Sequence, residues 1–175
     1  MAQFGQHEHV EVRQGSGLKV LSPGEADCIA IAGMGASTII SILEDDMEVA
    51  QSAKLLVLQP MAGAASLRAW LCSHGWQLAA EELVDDAPHF YEIIAAKRGS
   101  ASAYSAAECA VGPLLLAQEH PLLGKQLERQ LATCRQLLEN MGRSERARAS
   151  EKYKEIEALK AELEVLQNGK RSDSK

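Results

Sequence analysis

No apolar run in this 175-residue chain approaches the roughly 20 residues that a membrane-spanning helix needs. The first 14 residues are polar, without the apolar stretch of a secretion signal. Membrane and secreted classes are set aside on these grounds, and the chain reads as soluble and cytoplasmic. Cysteine is sparse. Cys28, Cys72, Cys109 and Cys134 stand far apart with no pair at a metal-ligand spacing, so reduced structural thiols are expected, and neither zinc nor disulfides. His7-x-His9 has no companion at metal spacing and reads as solvated side chains; no metal is expected. The glycine fingerprint and acidic partner strand of a dinucleotide-dependent oxidoreductase are also missing, which makes that class weak. The length allows one ordinary domain and an appendage, and 46% hydrophobic residues suffice for its core.

What is present is a chain of uneven charge. Residues 1–124 hold 6 Lys/Arg against 15 Asp/Glu, whereas residues 125–175 hold 12 against 9. A polyanion, if one is bound, would meet the C-terminal segment; an ordinary solvated helical surface accounts for the charge equally well. The most informative stretch is Ile29-Ala30-Ile31-Ala32-Gly33-Met34-Gly35, an apolar strand breaking into a Gly-x-Gly turn, followed by the strand Leu55-Leu56-Val57-Leu58-Gln59-Pro60. Between them Ser37 or Thr38 can cap a helix with Ile39, Ile40, Leu43 and Met47 on one face. Ser66 can cap the next helix, with Leu67, Trp70 and Leu71 inward and Gly75 ending it. A short strand is expected at His9–Arg13, turned by Gly15-Ser16-Gly17. The strands Trp76–Val84 and Phe90–Lys97 are joined too closely for a parallel crossover, so an antiparallel edge hairpin is expected.

From Leu122 onward the pattern is helical. Leu127, Leu131, Cys134, Leu138 and Met141 form one a/d seam, and Ile156, Leu159, Leu163 and Leu166 a second. A break near residues 142–150 would fold the helices into an antiparallel hairpin; one long helix that self-associates satisfies the same seams. Three regions are therefore expected: an α/β part over 1–105, a coiled-coil hairpin over 106–168 and a disordered tail over 169–175.

Ala26–Gly35, Leu56–Pro60, Leu67-Arg68-Ala69-Trp70-Leu71, Phe90–Ile94 and Val111-Gly112-Pro113-Leu114-Leu115, in this order, resemble the TrmK family of bacterial tRNA (adenine-22-N1)-methyltransferases. The resemblance implies a Rossmann-like class I methyltransferase sheet using S-adenosyl-L-methionine, with an appended coiled-coil hairpin that helps hold tRNA. It also implies an upstream strand with an Asp-x-Gly-type loop and a second strand, which have no counterpart here, so an N-terminally truncated, partial sheet with a strained N-terminus is expected. On this likeness Gly15, Ser16, Gly17, Gly33, Met34 and Gly35 are the cofactor-binding candidates, and Gln59, Pro60, Met61, Arg143, Arg146 and Arg148 the substrate-binding ones. No catalytic side chain is singled out. Ser16 stands where the family has Asp, and Met61 where it has Asn, so an inactive paralogue serving as a tRNA- or protein-binding module is the alternative reading. For Gly33 and Gly35 a plain tight turn competes with a ligand-facing role. For Gln59 a turn-forming part competes with a polar contact. Trp70 and Trp76 read as core anchors, Asp27 as structural, and His74, His89 and His120 as lone residues without implied partners.

Overall fold

The computed structural model of the chain describes residues 10–100 and 103–173. Its α/β core is a four-stranded mixed sheet in the order β1-β2-β4-β3. Strand β1 (Cys28–Gly35) leads into α1 (Ala36–Asp45) and α2 (Met47–Ser52), which return the chain to β2 (Leu55–Ala62), parallel to β1. Helix α3 (Ala64–Ser73) then precedes the antiparallel hairpin of β3 (Trp76–Asp86) and β4 (His89–Arg98). Strand β4 inserts between β3 and β2, pairing antiparallel with β2 only over Leu56–Leu58. That pairing stops short of Pro60, which has no N–H to offer a ladder.

The caps depart from expectation. Neither Ser37 nor Thr38 caps α1; Gly35 occupies the N-cap with extended backbone and no side-chain bond. For α3 the N-cap is Gly63, at φ 78°, and the Ser66 hydroxyl donates to the Gly63 carbonyl at 2.7 Å. In both places the N-cap position falls on a glycine, which has no side chain to cap with, and Ser37, Thr38 and Ser66 lie inside the helices; at Gly63 the left-handed backbone also favours glycine. No strand forms at Val10–Arg13, and residue 9 lies outside the described residues. Arg13 instead ties this segment down through Glu11 at 2.6 Å, Glu25 at 2.5 Å and the Val20 carbonyl at 2.9 Å.

Beyond the sheet lie α4 (Ala106–Val111), α5 (Pro113–Ala117), α6 (Leu123–Met141), α7 (Glu145–Arg148) and α8 (Glu151–Asp173). Helix α4 opens with a full capping box: Ser105 Oγ accepts from Glu108 N, and Glu108 Oε2 from Ser105 N. The chain breaks after Met141, and α8 folds back on α6, so that Arg135 meets Glu164 at 3.9 Å. Within one continuous helix these two residues would lie about 43 Å apart. The two seams therefore meet each other inside the chain: Leu127, Leu131, Cys134, Ile156 and Leu163 are buried, with Leu138, Met141, Leu159 and Leu166 packed against them. Helix α8 continues through Asp173, past Asn168 where a tail was expected. No described helix is long and apolar enough to cross a membrane.

One buried ion cluster joins the two layers. Arg68 on α3 is fully buried and donates from Nε to Glu81 Oε1 at 2.5 Å, from Nη2 to Glu92 Oε2 at 2.8 Å and from Nη1 to the Cys109 carbonyl at 2.9 Å. The other Glu81 oxygen accepts from Leu114 N at 2.8 Å. Helix α3, both strands of the hairpin and the α4–α5 corner thus converge on one guanidinium. Around it the hairpin edge holds α6 through Lys125–Asp85 at 2.5 Å and through Arg129, whose guanidinium lies 4.3 Å from the Phe90 ring centre. His120, read from sequence as a lone residue, bonds Glu82 at 2.5 Å through Nε2 and accepts from Leu122 N at Nδ1. The Leu122 donor makes Nδ1 the acceptor, so Nε2 carries the proton given to Glu82.

Substitution at either tie has a defined outcome. Replacing Arg68 by Met strands two carboxylates in the interior and should lower unfolding stability by about 3–5 kcal/mol; a urea midpoint equal to the unaltered chain's would show the cluster to be dispensable. Glu82 has its pKa held below 4.5 by the His120 hydrogen bond first and the Leu83 N–H second. A lowered folded pKa means stability that is present above the unfolded value and lost as pH falls through the folded one. The stability gap between the chain and its E82Q variant should therefore be open at pH 6 and close below pH 4.5, as read by urea unfolding across that range.

Candidate functional site

Of the sequence candidates, Gly33, Met34, Gly35, Gln59, Pro60 and Met61 gather at the C-terminal ends of β1 and β2, where an open α/β sheet receives ligands. The parallel register runs evenly from Cys28↔Leu55 to Ala32↔Gln59, slips to Met34↔Pro60 and slips again to Gly35↔Ala62. Gly33 is the residue left over at the first slip and takes φ 76°, the left-handed conformation that a side chain disfavours. Its N–H donates to Gln59 Oε1 at 2.9 Å, and Gln59 Nε2 lies 3.7 Å from Met61 Sδ. Met34 and Met61 stand out from this rim, 42% and 56% exposed, while Pro60 is buried beneath it. Helix α1 starts directly behind Gly35, so its unpaired N–H groups open on the same end of the sheet.

A second feature lies along the outer edge of β1. An open cavity of about 320 Å³ is lined by Gly17, Leu18, Leu21, Ile29, Ile31, Met34 and Ile42 among others. It brings Gly17, from the Gly15-Ser16-Gly17 turn, together with Met34. Ser16 is exposed on that turn, and its carbonyl accepts from Lys19 N. Leu18, Leu21 and Ile42 were not singled out from sequence; the only signal was an apolar residue directly following the Gly-Ser-Gly turn. Asp27 sits at the opposite end of β1 and pairs with Lys54 at 3.0 Å, in keeping with a structural part. Trp76 is buried in the core, whereas Trp70 is half-exposed, stacked on His74 and bonded to Glu44.

The arginine candidates occupy the connection between α6 and α8, and none of the three is buried. Arg143 lies 3.6 Å from Glu139, Arg148 Nε donates to the Gly142 carbonyl at 2.6 Å, and Arg146 has no partner among the described residues. Of the thiols, Cys109 and Cys134 are buried and burial pushes both up from the ordinary thiol range, while Cys28 is exposed beside the cavity.

This arrangement has known counterparts. Residues 1–168 match the TrmK family, tRNA (adenine(22)-N(1))-methyltransferase. The chain belongs to the TrmK family. The TrmK relative from Bacillus subtilis (strain 168), tRNA (adenine(22)-N(1))-methyltransferase, is 31% identical over 167 residues, covering 93% of this chain and 69% of that protein. A Streptococcus agalactiae protein of the NADB-Rossmann superfamily superposes with a TM-score of 0.79 at 26% identity, over 93% of this chain and 70% of its own. Streptococcus pneumoniae Sp1610, solved in complex with S-adenosyl-L-methionine, superposes with a TM-score of 0.73 at 26% identity, over 90% of this chain and 68% of its own. TrmK proteins are S-adenosyl-L-methionine-dependent tRNA (adenine-N1)-methyltransferases.

The turn between β1 and α1 gives a direct test of its geometry. Nothing lies within 4 Å of a Cβ built on Gly33, so G33A should cost only the left-handed conformation, about 1–2 kcal/mol. At Gly63 the same conformation is joined by an Ala36 Cβ at 3.1 Å, so G63A should cost more. Urea unfolding of the two variants that gave the reverse order would contradict the turn described here.

Proposed function

We propose that this chain transfers the methyl group of S-adenosyl-L-methionine to N1 of adenine 22 in tRNA, in the cytoplasm where tRNA is found. The observation that carries the reading is the TrmK match over residues 1–168, with the Gly33–Gly35 and Gln59–Met61 strand ends side by side at one rim. Residues 1–105 form the methyltransferase part and residues 106–168 the part that grips tRNA.

The cavity supports the cofactor assignment for one end of the molecule. Its walls are apolar and close to the lower size of a small-ligand pocket, which suits the flat base of a nucleoside; among the described residues no charged side chain lines it to meet the ammonium and carboxylate of the methionyl end. Gly15, Ser16 and Gly17 would border that base, and Met34 would stand between it and the rim. Bound there, the cofactor would supply an electrophilic methyl on a sulfonium, whose sulfur leaves as a neutral thioether while the positive charge passes to the methylated adenine.

Adenine N1 carries its own lone pair, so the protein need not remove a proton and no general base is called for. What it must do is hold N1 in line with the methyl at short range. N1 lies on the Watson–Crick edge, so the base has to be unpaired or turned out of its stack to be reached. Met34 and Met61 offer it polarizable thioether surfaces of the kind that pack well on aromatic faces. The buried Pro60 stiffens the floor. Arg143, Arg146 and Arg148 would hold phosphates at the hairpin tip.

Incubation of the chain with tRNA and methyl-labelled S-adenosyl-L-methionine should place one 1-methyladenosine at position 22 and none in a transcript with guanosine there. No incorporation by a chain that circular dichroism shows to be folded would overturn the reading. The paired charge reversal R146E/R148E should weaken tRNA binding and reduce the slope of log affinity against log salt by about one for each phosphate no longer neutralised. An unchanged slope would remove the tip from that role.

A further inference from the structure

We infer that Gln59 is a positioning residue: its side-chain oxygen holds the Gly33–Gly35 turn in shape, and it does so without itself reading the base. The inference rests on the base-receiving role proposed for this rim. Three observations carry it. The ladder between β1 and β2 slips twice within Ala32–Gly35, so main-chain pairing is least regular where the turn must be most definite. Gly33, at φ 76°, has its N–H taken up by Gln59 Oε1 at 2.9 Å, a distance and pairing of an ordinary strong amide hydrogen bond. The nitrogen end of the same amide rests against Met61 Sδ at 3.7 Å, so one planar group spans the bulge of β1, its own strand and the exposed rim. An amide committed at its oxygen to a backbone donor is fixed in orientation, and that orientation fixes Gly33.

The mechanism asks for alignment above all, and a small shift of a turn that borders the reacting base is costly to rate. Losing the Gln59 acceptor frees the Gly33 amide to water and lets the turn move, while the surrounding core, built on Leu56, Leu58 and Ile94, is untouched.

Two variants of the whole chain test this. Q59L keeps the size and removes the acceptor; Q59E keeps the acceptor and removes the N–H donors to Met61. Backbone amide exchange followed by NMR should show Gly33 exchanging about tenfold faster in Q59L, the equivalent of one ordinary hydrogen bond, and at the unaltered rate in Q59E. In the methylation assay kcat should fall about tenfold or more in Q59L with KM for tRNA unchanged, and Q59E should restore it. Equal Gly33 exchange in Q59L and the unaltered chain would overturn the inference, as would altered exchange with kcat intact. Failure of Q59E to restore both would overturn the assignment to the oxygen. If the unaltered chain itself transfers no methyl group, the proposed function falls, and the exchange of Gly33 still decides whether Gln59 holds the turn.

Discussion

A single buried guanidinium makes the two halves of this molecule interdependent. An ion taken wholly out of water costs several kcal/mol unless every donor finds an acceptor, and Arg68 finds its acceptors on elements far apart in sequence. Glu81 comes from β3, Glu92 from β4 and the Cys109 carbonyl from α4; Glu81 is itself completed by Leu114 N on α5. None of these elements can leave without orphaning the charge. The sheet's own core and the helical core, otherwise two separate apolar clusters, are thereby fixed in one relative position. Apolar packing alone would hold them together; the fork of the guanidinium decides how they are oriented.

That constraint has a consequence at the other side of the sheet. Because β4 is anchored to α3 and α4, it can serve as the firm neighbour of β2, and it does so over Leu56–Leu58. Past Leu58 the strand continues as Gln59-Pro60-Met61, which among the described residues pairs with no strand but β1, whose register is slipping. The sheet therefore grades from a fully paired interior to a rim held by side chains and turns. Functional loops come from the less stable end of such a gradient, since they must admit and release a ligand. Here the gradient falls inside one strand, within about 10 Å of its length.

The architecture was legible where local pattern and tertiary demand agree. The β-α-β run, the close-coupled hairpin and the two helical seams each declared themselves by period, and Gly33-Met34-Gly35 by its glycines. The ion cluster was not legible, for a reason visible in β3. Strict alternation from the buried Trp76 and Leu78 would send Glu82 inward and Glu81 outward. The bulge between Leu78 and Ala80 shifts the phase by one, so Glu81 and Leu83 are the buried pair and Glu82 is free to meet His120. Bulges depend on the partner strand and leave little trace in a single sequence. The caps misled for a related reason: Ser37, Thr38 and Ser66 are chemically able to cap, but the helices already start behind Gly35 and Gly63, two to three residues earlier.

Charge gives the proposed tRNA reading its last step. Residues 1–124 are acidic by nine charges and residues 125–175 basic by three, so a polyanion, where one binds, would meet α6–α8 rather than the body. The three tip arginines do not contribute alike. Arg148 has its Nε fixed to the Gly142 carbonyl and so presents the rest of its fork in a set direction, at little further loss of side-chain freedom. Arg143 must share its charge with Glu139, and Arg146 is unpartnered among the described residues. A phosphate meeting Arg148 thus finds a preorganised donor, whereas one meeting Arg146 must order the side chain first. In the binding mode proposed above, the acidic body would disfavour close approach of a phosphate backbone, leaving the tip as the better place to hold it. A nucleotide that reaches the rim would have to be unpaired, which is the state that exposes adenine N1.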